Sequence, residues 1–250
     1  MSTALRAEGI TAGYGHVPVV RDLAVRAESG RVVAILGPNG SGKSTFMKAL
    51  TGQLRLAGGS VWVGAKEITG LPAHKIARSG LGYVPQVANV FPSLTVVENL
   101  EMGGYTRKHG VKERIGEVLE IFPDLSKARM KRAGALSGGQ RNLLGIARAL
   151  MLDPTVVLLD EPTAGLSPAY TQIVWEQVKR IAASGAAVVV VEQNVDLALD
   201  AADWIYLLVD GRNHLEGTPG EVKAHDISAI FLGGTGVRAQ SSLNGTGRGH

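Results

Sequence analysis

The hydrophobic pattern changes period several times along the chain, and each change marks an element. Apolar and polar residues alternate over Leu5–Thr11 and Leu23–Ala27, which predicts half-buried antiparallel strands. Arg31–Leu36 is instead a short apolar run ending at Gly37, the pattern of a buried strand. Lys43–Leu50 then reads as a helix, and Ser60–Val63 and Gly80–Val84 as further strands. From about Val90 to Leu150 the period is helical, over Thr95–Met102, Lys112–Phe122 and Arg141–Met151. The last of these places Leu143, Leu144, Ala147, Leu150 and Met151 along one face. Strand and helix then alternate through Thr155–Leu159, Ala169–Ala183, Ala187–Val191, Val195–Ala201 and Trp204–Val209.

Alternating strands and helices predict a wound, mostly parallel sheet covered on both faces. The early strands and the middle helices interrupt it. The expected α/β architecture is therefore a central core carrying a small antiparallel β subdomain and, at about 90–150, an inserted helical subdomain. That domain is expected to span 1–232. The segment from Gly233 onward is rich in Gly, Ser and Thr and nearly free of large apolar residues, so a disordered tail is expected over 233–250.

Composition narrows the choices. With 45% hydrophobic and 19% charged residues in a chain of 250, the sequence can bury one sizeable core and is not globally disordered. It has no cysteine, which excludes disulfides, thiolate metal sites and a cysteine nucleophile. The longest apolar runs, such as Ala186–Val191 and Val156–Leu159, fall far short of the ~20 residues that span a bilayer, and the start has no stretch of signal-peptide length. Any membrane role is expected to come through a partner. A net charge of +4 invites a nucleic-acid partner, but the bases are scattered. Their densest group, Lys127, Arg129, Lys131 and Arg132, reads as a solvated face, and no nucleic acid is expected.

Candidate chemistry begins at residues 37–45, which read Gly37-Pro38-Asn39-Gly40-Ser41-Gly42-Lys43-Ser44-Thr45. The spacing G-x-x-x-x-G-K-[ST], between a predicted strand and a predicted helix, is that of a phosphate-binding loop. Gly37, Gly40 and Gly42 let backbone N–H groups turn inward as an anion nest, and the helix N-terminus adds partial positive charge. Lys43 is expected to reach the β- and γ-phosphates of a nucleotide, Ser44 to ligate Mg²⁺, and Thr45 to add a phosphate contact. The second element is the apolar run Val156–Leu159, which ends in Asp160-Glu161. A carboxylate at the end of a buried strand can hold Mg²⁺ beside the cradle, which assigns Asp160 to the metal; Glu161 can act as general base on the attacking water.

With these residues in place the chain resembles ATP-binding cassette ATPases over roughly residues 4–232. The discriminating element is Leu136-Ser137-Gly138-Gly139-Gln140, followed by a helix. The resemblance implies that Ser137, Gly138, Gly139 and Gln140 complete the ATP site of an opposite subunit in a head-to-tail dimer. A hydroxyl, two glycine amides and a helix N-terminus are suited to that role. It further implies that Tyr14 stacks on adenine, and that Gln86, in Val84-Pro85-Gln86, senses Mg²⁺ and water.

The sequence departs from the family pattern twice. Gln193 stands where the family has a switch histidine, and an amide can bond the γ-phosphate but cannot carry a proton. Ser167 stands where an aspartate is common, and reads locally as a helix N-cap before Pro168. Both departures, with the segment from Asn89 to Val96, resemble the subfamily that serves importers of branched-chain amino acids, or of urea-type amides. The implied partners are a second ATPase subunit, identical or related, membrane-spanning permease subunits docking around Phe91–Gly104, and an extracytoplasmic solute-binding protein. The implied place is the cytoplasmic face of the cell membrane. A different cargo, a non-transport cassette ATPase acting on chromosomes or ribosomes, and a nucleotide-binding regulator remain open alternatives.

Overall fold

The structure, a computed structural model, describes residues 2–87, 89–225 and 227–231; the tail expected from Gly233 lies outside them. In chain order its first elements are β1 (Thr3–Tyr14), β2 (Val17–Glu28), β3 (Val32–Leu36), α1 (Lys43–Leu50), β4 (Leu56–Val63), β5 (Lys66–Glu67), α2 (Ala73–Ala77) and β6 (Leu81–Val84). A run of helices follows: α3 (Val96–Gly103), α4 (Val111–Ile121), α5 (Pro123–Lys127) and α6 (Gly138–Leu150). The chain then returns to alternation through β7 (Val156–Asp160), α7 (Pro168–Ala183), β8 (Ala187–Glu192), α8 (Val195–Ala201), β9 (Trp204–Val209), β10 (Arg212–Gly217), α9 (Pro219–Lys223) and α10 (Ile227–Phe231).

These strands form two sheets. The smaller is antiparallel, in the order β2-β1-β4-β5, and begins with a hairpin whose last pair is Tyr14 and Val17. The larger runs β10-β9-β3-β8-β7-β6 and is parallel except at its β10 edge. Every residue of β3, β7 and β8 is buried, which is why their sequences are apolar runs up to the carboxylates Asp160 and Glu192 that end β7 and β8. Successive side chains go to opposite faces, and each face is covered. Val33, Ile35, Val156, Leu158, Val189 and Val191 pack toward the antiparallel sheet and α1, where Phe46, Met47 and Leu50 are wholly buried. Val32, Val157, Leu159, Val188 and Val190 join a second core with residues of α3 to α7. Each such large side chain contributes about 1.5–3 kcal/mol by leaving water.

The helical region is fixed by capping as well as burial. Thr95 and Glu98 form a capping box at the start of α3. Fully buried Asn99 accepts from the Phe91 N–H at 2.8 Å and donates to the Phe91, Leu94 and Thr95 carbonyls, so one side chain organises the 91–95 turn. Phe91 itself is 41% exposed, with the Arg148 guanidinium 4.4 Å from its ring centre, whereas Val96 and Leu100 are core. Lys127, Arg129, Lys131 and Arg132 are all exposed, as the sequence suggested. Among the described residues no helix is long and apolar enough to cross a membrane.

Besides the short elements β5, α2, α5, α9 and α10, which the sequence reading did not include, two differences from the sequence expectation bear on the site. β10 was not anticipated, because its residues alternate between polar and half-buried at a sheet edge. It stitches the two sheets together: Asn213 donates to the Ala24 carbonyl at 2.8 Å and accepts from the Ala24 N–H at 2.9 Å, imitating a strand with its side chain. The turn before it is equally fixed. Gly211 (φ 76°) donates to the Ser41 carbonyl at 3.1 Å and accepts from the Arg21 N–H at 2.8 Å, and a Cβ there would lie 1.9 Å from the Val19 oxygen. The second difference is at α7. Ser167 occupies the N-cap position, but its hydroxyl makes no capping bond; Pro168, whose missing N–H needs no partner and whose φ suits a helix, starts the helix instead.

Candidate functional site

Four strands of the large sheet end at one edge, and register aligns their ends. Leu36 is level with Glu192, Val191 with Asp160, and Leu159 with Val84. The loop after β3, the acidic end of β7, the Glu192-Gln193 end of β8 and the Pro85-Gln86 segment after β6 therefore converge. This is the crevice beyond the carboxyl ends of parallel strands, where ligands of wound sheets bind.

The 37–45 loop closes on itself around Lys43. That side chain is only 5% exposed, and its Nζ donates to the Gly37 carbonyl at 2.7 Å and the Pro38 carbonyl at 2.9 Å. Burial pushes the ammonium below the usual lysine range, against the opposing pull of the Glu161 and Asp160 carboxylates. Gly42, at φ 99°, is the N-cap of α1 and offers no side chain, so the first-turn N–H groups have no side-chain acceptor. The Ser41 hydroxyl is buried with no hydrogen-bond partner. At Gly37 a Cβ would stand 2.3 Å from the Leu208 oxygen and 2.6 Å from Ser41 Oγ, so the backbone can follow this path only without a side chain. The loop thus presents an ammonium, open N–H donors and an orphaned hydroxyl in one place, a donor set suited to a polyphosphate.

Across from it, Asp160 is 5% exposed at the end of β7. Ser44 Oγ lies 3.5 Å from its Oδ1, and the Tyr83 hydroxyl donates to its Oδ2 at 3.3 Å. Burial raises the Asp160 pKa above the ordinary carboxylate value, and the neighbouring Glu161 charge adds to the rise, while the Tyr83 and Ser44 bonds oppose it. A buried carboxylate in that condition gains from a cation. Among the described residues no cluster of three or more His, Cys, Asp or Glu could hold a metal by itself. A carboxylate plus a hydroxyl is nonetheless the kind of set that holds Mg²⁺ when substrate phosphates and water supply the remaining oxygens. Ser44 and Asp160 fit that set, with Gln86 exposed nearby on the next strand end.

Glu161 leaves β7 in the left-handed region, φ 47°, an uncommon conformation for a residue of its size. That turn aims its carboxylate at two amides. Gln86 Nε2 donates to Oε2 at 2.7 Å and Gln193 Nε2 donates to Oε1 at 2.6 Å. Behind them Glu192, 3% exposed, accepts from Thr163 Oγ1 at 2.6 Å and from the Gln193 N–H at 3.2 Å. Burial pushes its carboxyl above the ordinary range against the Thr163 and Gln193 bonds, and the Glu161 charge adds to the rise. Glu192 therefore ties the loop after Glu161 to the segment carrying Gln193.

The structure thus brings together the 37–45 loop, Gln86, Asp160, Glu161 and Gln193. It leaves Ser137–Gln140 apart, at the start of α6. There the Ser137 hydroxyl accepts from the Gln140 N–H at 3.2 Å, and Gln140 Oε1 accepts from the Ser137 N–H at 3.1 Å, a complete capping box. Tyr14 is 53% exposed at the end of the β1–β2 hairpin. Three residues of this edge escaped the sequence reading: Tyr83, Glu192 and Thr163. Only Tyr83 carried a usable signal, a hydroxyl-bearing aromatic in a short strand, three residues before Gln86.

Comparison with known proteins agrees with this arrangement. The family described as ABC transporter matches residues 20–164. A probable branched-chain amino acid transport ATP-binding protein, LivF of Archaeoglobus fulgidus, is 40% identical over 224 residues, covering 89% of this chain and 95% of that protein. BraG of Pseudomonas aeruginosa, a high-affinity branched-chain amino acid transport ATP-binding protein, is 39% identical over 226 residues, covering 90% and 93%. The crystal structure of an ATP-binding cassette of an ABC transporter in its ADP conformation superposes with a TM-score of 0.85 at 29% identity, covering 93% of this chain and all of that one.

Proposed function

The chain belongs to the ABC transporter family and has its ATPase fold, and on that premise we propose that it is the ATP-hydrolysing subunit of an importer of branched-chain amino acids. The observation that carries the cargo is the likeness, at 40% and 39% identity over nearly whole chains, to two transport ATP-binding proteins of that specificity. The observation that carries the chemistry is the Glu161 carboxylate held between Gln86 and Gln193 beside the 37–45 loop.

In this reading the ATP phosphates lie along the 37–45 loop, with Lys43 turning from the Gly37 and Pro38 carbonyls toward the β- and γ-phosphates. Pro38, Asn39 and Thr45 complete the wall of the cradle, and Tyr14 stacks on adenine from the exposed hairpin end. Ser44, Asp160 and Gln86 are the residues that would hold Mg²⁺, which when bound would neutralise charge on the phosphate oxygens. Glu161 takes a proton from the attacking water; the water oxygen bonds to the γ-phosphorus as its bond to the β-γ bridging oxygen breaks, leaving ADP and phosphate. Gln86 and Gln193 orient the base, and Gln193 does by hydrogen bonding what a histidine does elsewhere in the family, without carrying the proton.

Ser137, Gly138, Gly139 and Gln140 cap the nucleotide of a second subunit, identical or related, so two ATP molecules are sandwiched about a two-fold or pseudo-two-fold axis. Loss of the γ-phosphate removes the bridging contact and loosens the pair. The domain extends over 1–232 with 90–150 as its helical insertion. Exposed Phe91 and Met102 mark the dock for permease subunits, which hold the chain at the cytoplasmic face of the membrane and receive solute from a binding protein. Reconstitution with those permease subunits tests the assignment. ATP hydrolysis and uptake stimulated by leucine, isoleucine or valine support it; stimulation by urea, by lipid or by nothing in that class overturns the cargo.

A further inference from the structure

Tyr170 stands in the first turn of α7, on the segment that leads away from Glu161, yet its contacts lie on α6. Its ring packs against the backbone of Gly139 so closely that a Cβ there would stand 2.2 Å from Cδ1, 2.3 Å from Cγ and 2.7 Å from Cε1. Its hydroxyl is 3.4 Å from Ser137 Oγ. The turn of residues 137–139, where the capping box engages Ser137 and Gln140 but not the Gly138 and Gly139 N–H groups, thus rests on a side chain supplied by another element. The run between Glu161 and Tyr170 is itself held by a series of backbone bonds. The Ala164 N–H donates to the Glu161 carbonyl at 3.2 Å, Leu166 to Thr163 at 3.1 Å, and Thr171 to Ser167 at 2.9 Å. Thr163 is held in turn by Glu192.

We propose that Tyr170 is a positioning residue that sets the Ser137–Gly139 turn at the attitude needed to grip nucleotide on the partner chain, and so links the Glu161 region of one site to the other. The inference rests on the head-to-tail reading given above, and on nothing else about the cargo. A ring under a glycine leaves no slack: tilting the first turn of α7 must move the 137–139 backbone with it, because Gly139 has no side chain to absorb the shift. Residues that touch the γ-phosphate of one nucleotide would thereby be coupled through one chain to the cap of the other.

The experiment uses the full chain in a Glu161→Gln background, where ATP is expected to drive dimerisation without turnover, and follows association by light scattering or sedimentation. Tyr170→Ala is expected to leave MgADP affinity of the monomer within about two-fold while raising the ATP concentration for dimerisation about tenfold or more. Tyr170→Phe keeps the ring and is expected within about three-fold of the parent. Unaltered dimerisation of Tyr170→Ala, a Tyr170→Phe variant as weak as the alanine variant, or a fall in MgADP affinity in step with dimerisation would each overturn the proposal. If the Glu161→Gln parent fails to dimerise with ATP at all, the head-to-tail reading fails and takes the inference with it.

Discussion

Gln86 and Gln193 grip opposite oxygens of the same carboxylate, 2.7 Å from Glu161 Oε2 and 2.6 Å from Oε1. They arrive from the ends of strands on either side of β7, so the carboxylate is centred by the sheet itself. Gln193→Ala removes one of the two bonds without touching the phosphate loop. It is expected to lower kcat about 100-fold while nucleotide affinity stays within about three-fold. Steady-state hydrolysis and equilibrium binding measured on one preparation decide it, and hydrolysis at the parent rate would remove Gln193 from the mechanism.

Lys43→Met replaces a buried ammonium with an apolar side chain of similar length. Nucleotide affinity is expected to fall by one to two orders of magnitude, roughly the 1.5–3 kcal/mol of a charge-assisted bond. Thermal stability without nucleotide should hold or rise, since the buried charge is no longer desolvated. Calorimetric titration and a thermal melt separate the two effects.

Tyr83→Phe deletes a hydroxyl that donates to Asp160 Oδ2. The carboxylate loses an orienting bond, and the Mg²⁺ concentration for half-maximal hydrolysis is expected to rise about three- to tenfold. A titration of Mg²⁺ at saturating ATP reads this directly. An unmoved midpoint would mean that Tyr83 serves packing alone.

Glu192→Gln should be more stable than the parent at neutral pH and no different in acid. Burial raises the carboxyl's folded pKa above its unfolded one, so the neutral form carries no penalty below the unfolded value. The cost of the charge grows as pH rises through the raised value. A glutamine can still accept from the Gln193 N–H and can donate to the Thr163 hydroxyl. The stability difference should open between acid and neutral pH in denaturation curves. A difference that is constant with pH would contradict the assignment.

The parts of the site that were legible in the sequence are those made by consecutive residues. The 37–45 loop announces itself because backbone donors, glycines and Lys43 must follow one another between a strand and a helix. β3, β7 and β8 were visible because burial on both faces leaves nothing but apolar residues, and the family resemblance and the wound sheet were borne out on that footing. What escaped depends on meetings across space. Glu192 and Tyr170 look like ordinary strand and helix residues until β8 and α7 are set beside their neighbours, and the position of Tyr83 before Gln86 hints at a role but not at Asp160 as its partner. β10 escaped for another reason: an edge strand with one wet face has no apolar run, and its purpose lies in Asn213 bonding a strand of the other sheet.

The Gly211 turn fixes how this chain can vary. One residue there is bonded on its N–H side to the phosphate loop through Ser41 and on its carbonyl side to Arg21 of the smaller sheet, with Val19 too near to admit even a methyl group. Lengthening that turn by a single residue would break its bonds to the smaller sheet and to the nucleotide cradle at once. Relatives that add or delete residues are therefore expected to do so in exposed stretches such as Lys108–Gly110, and to keep the 209–212 turn at constant length.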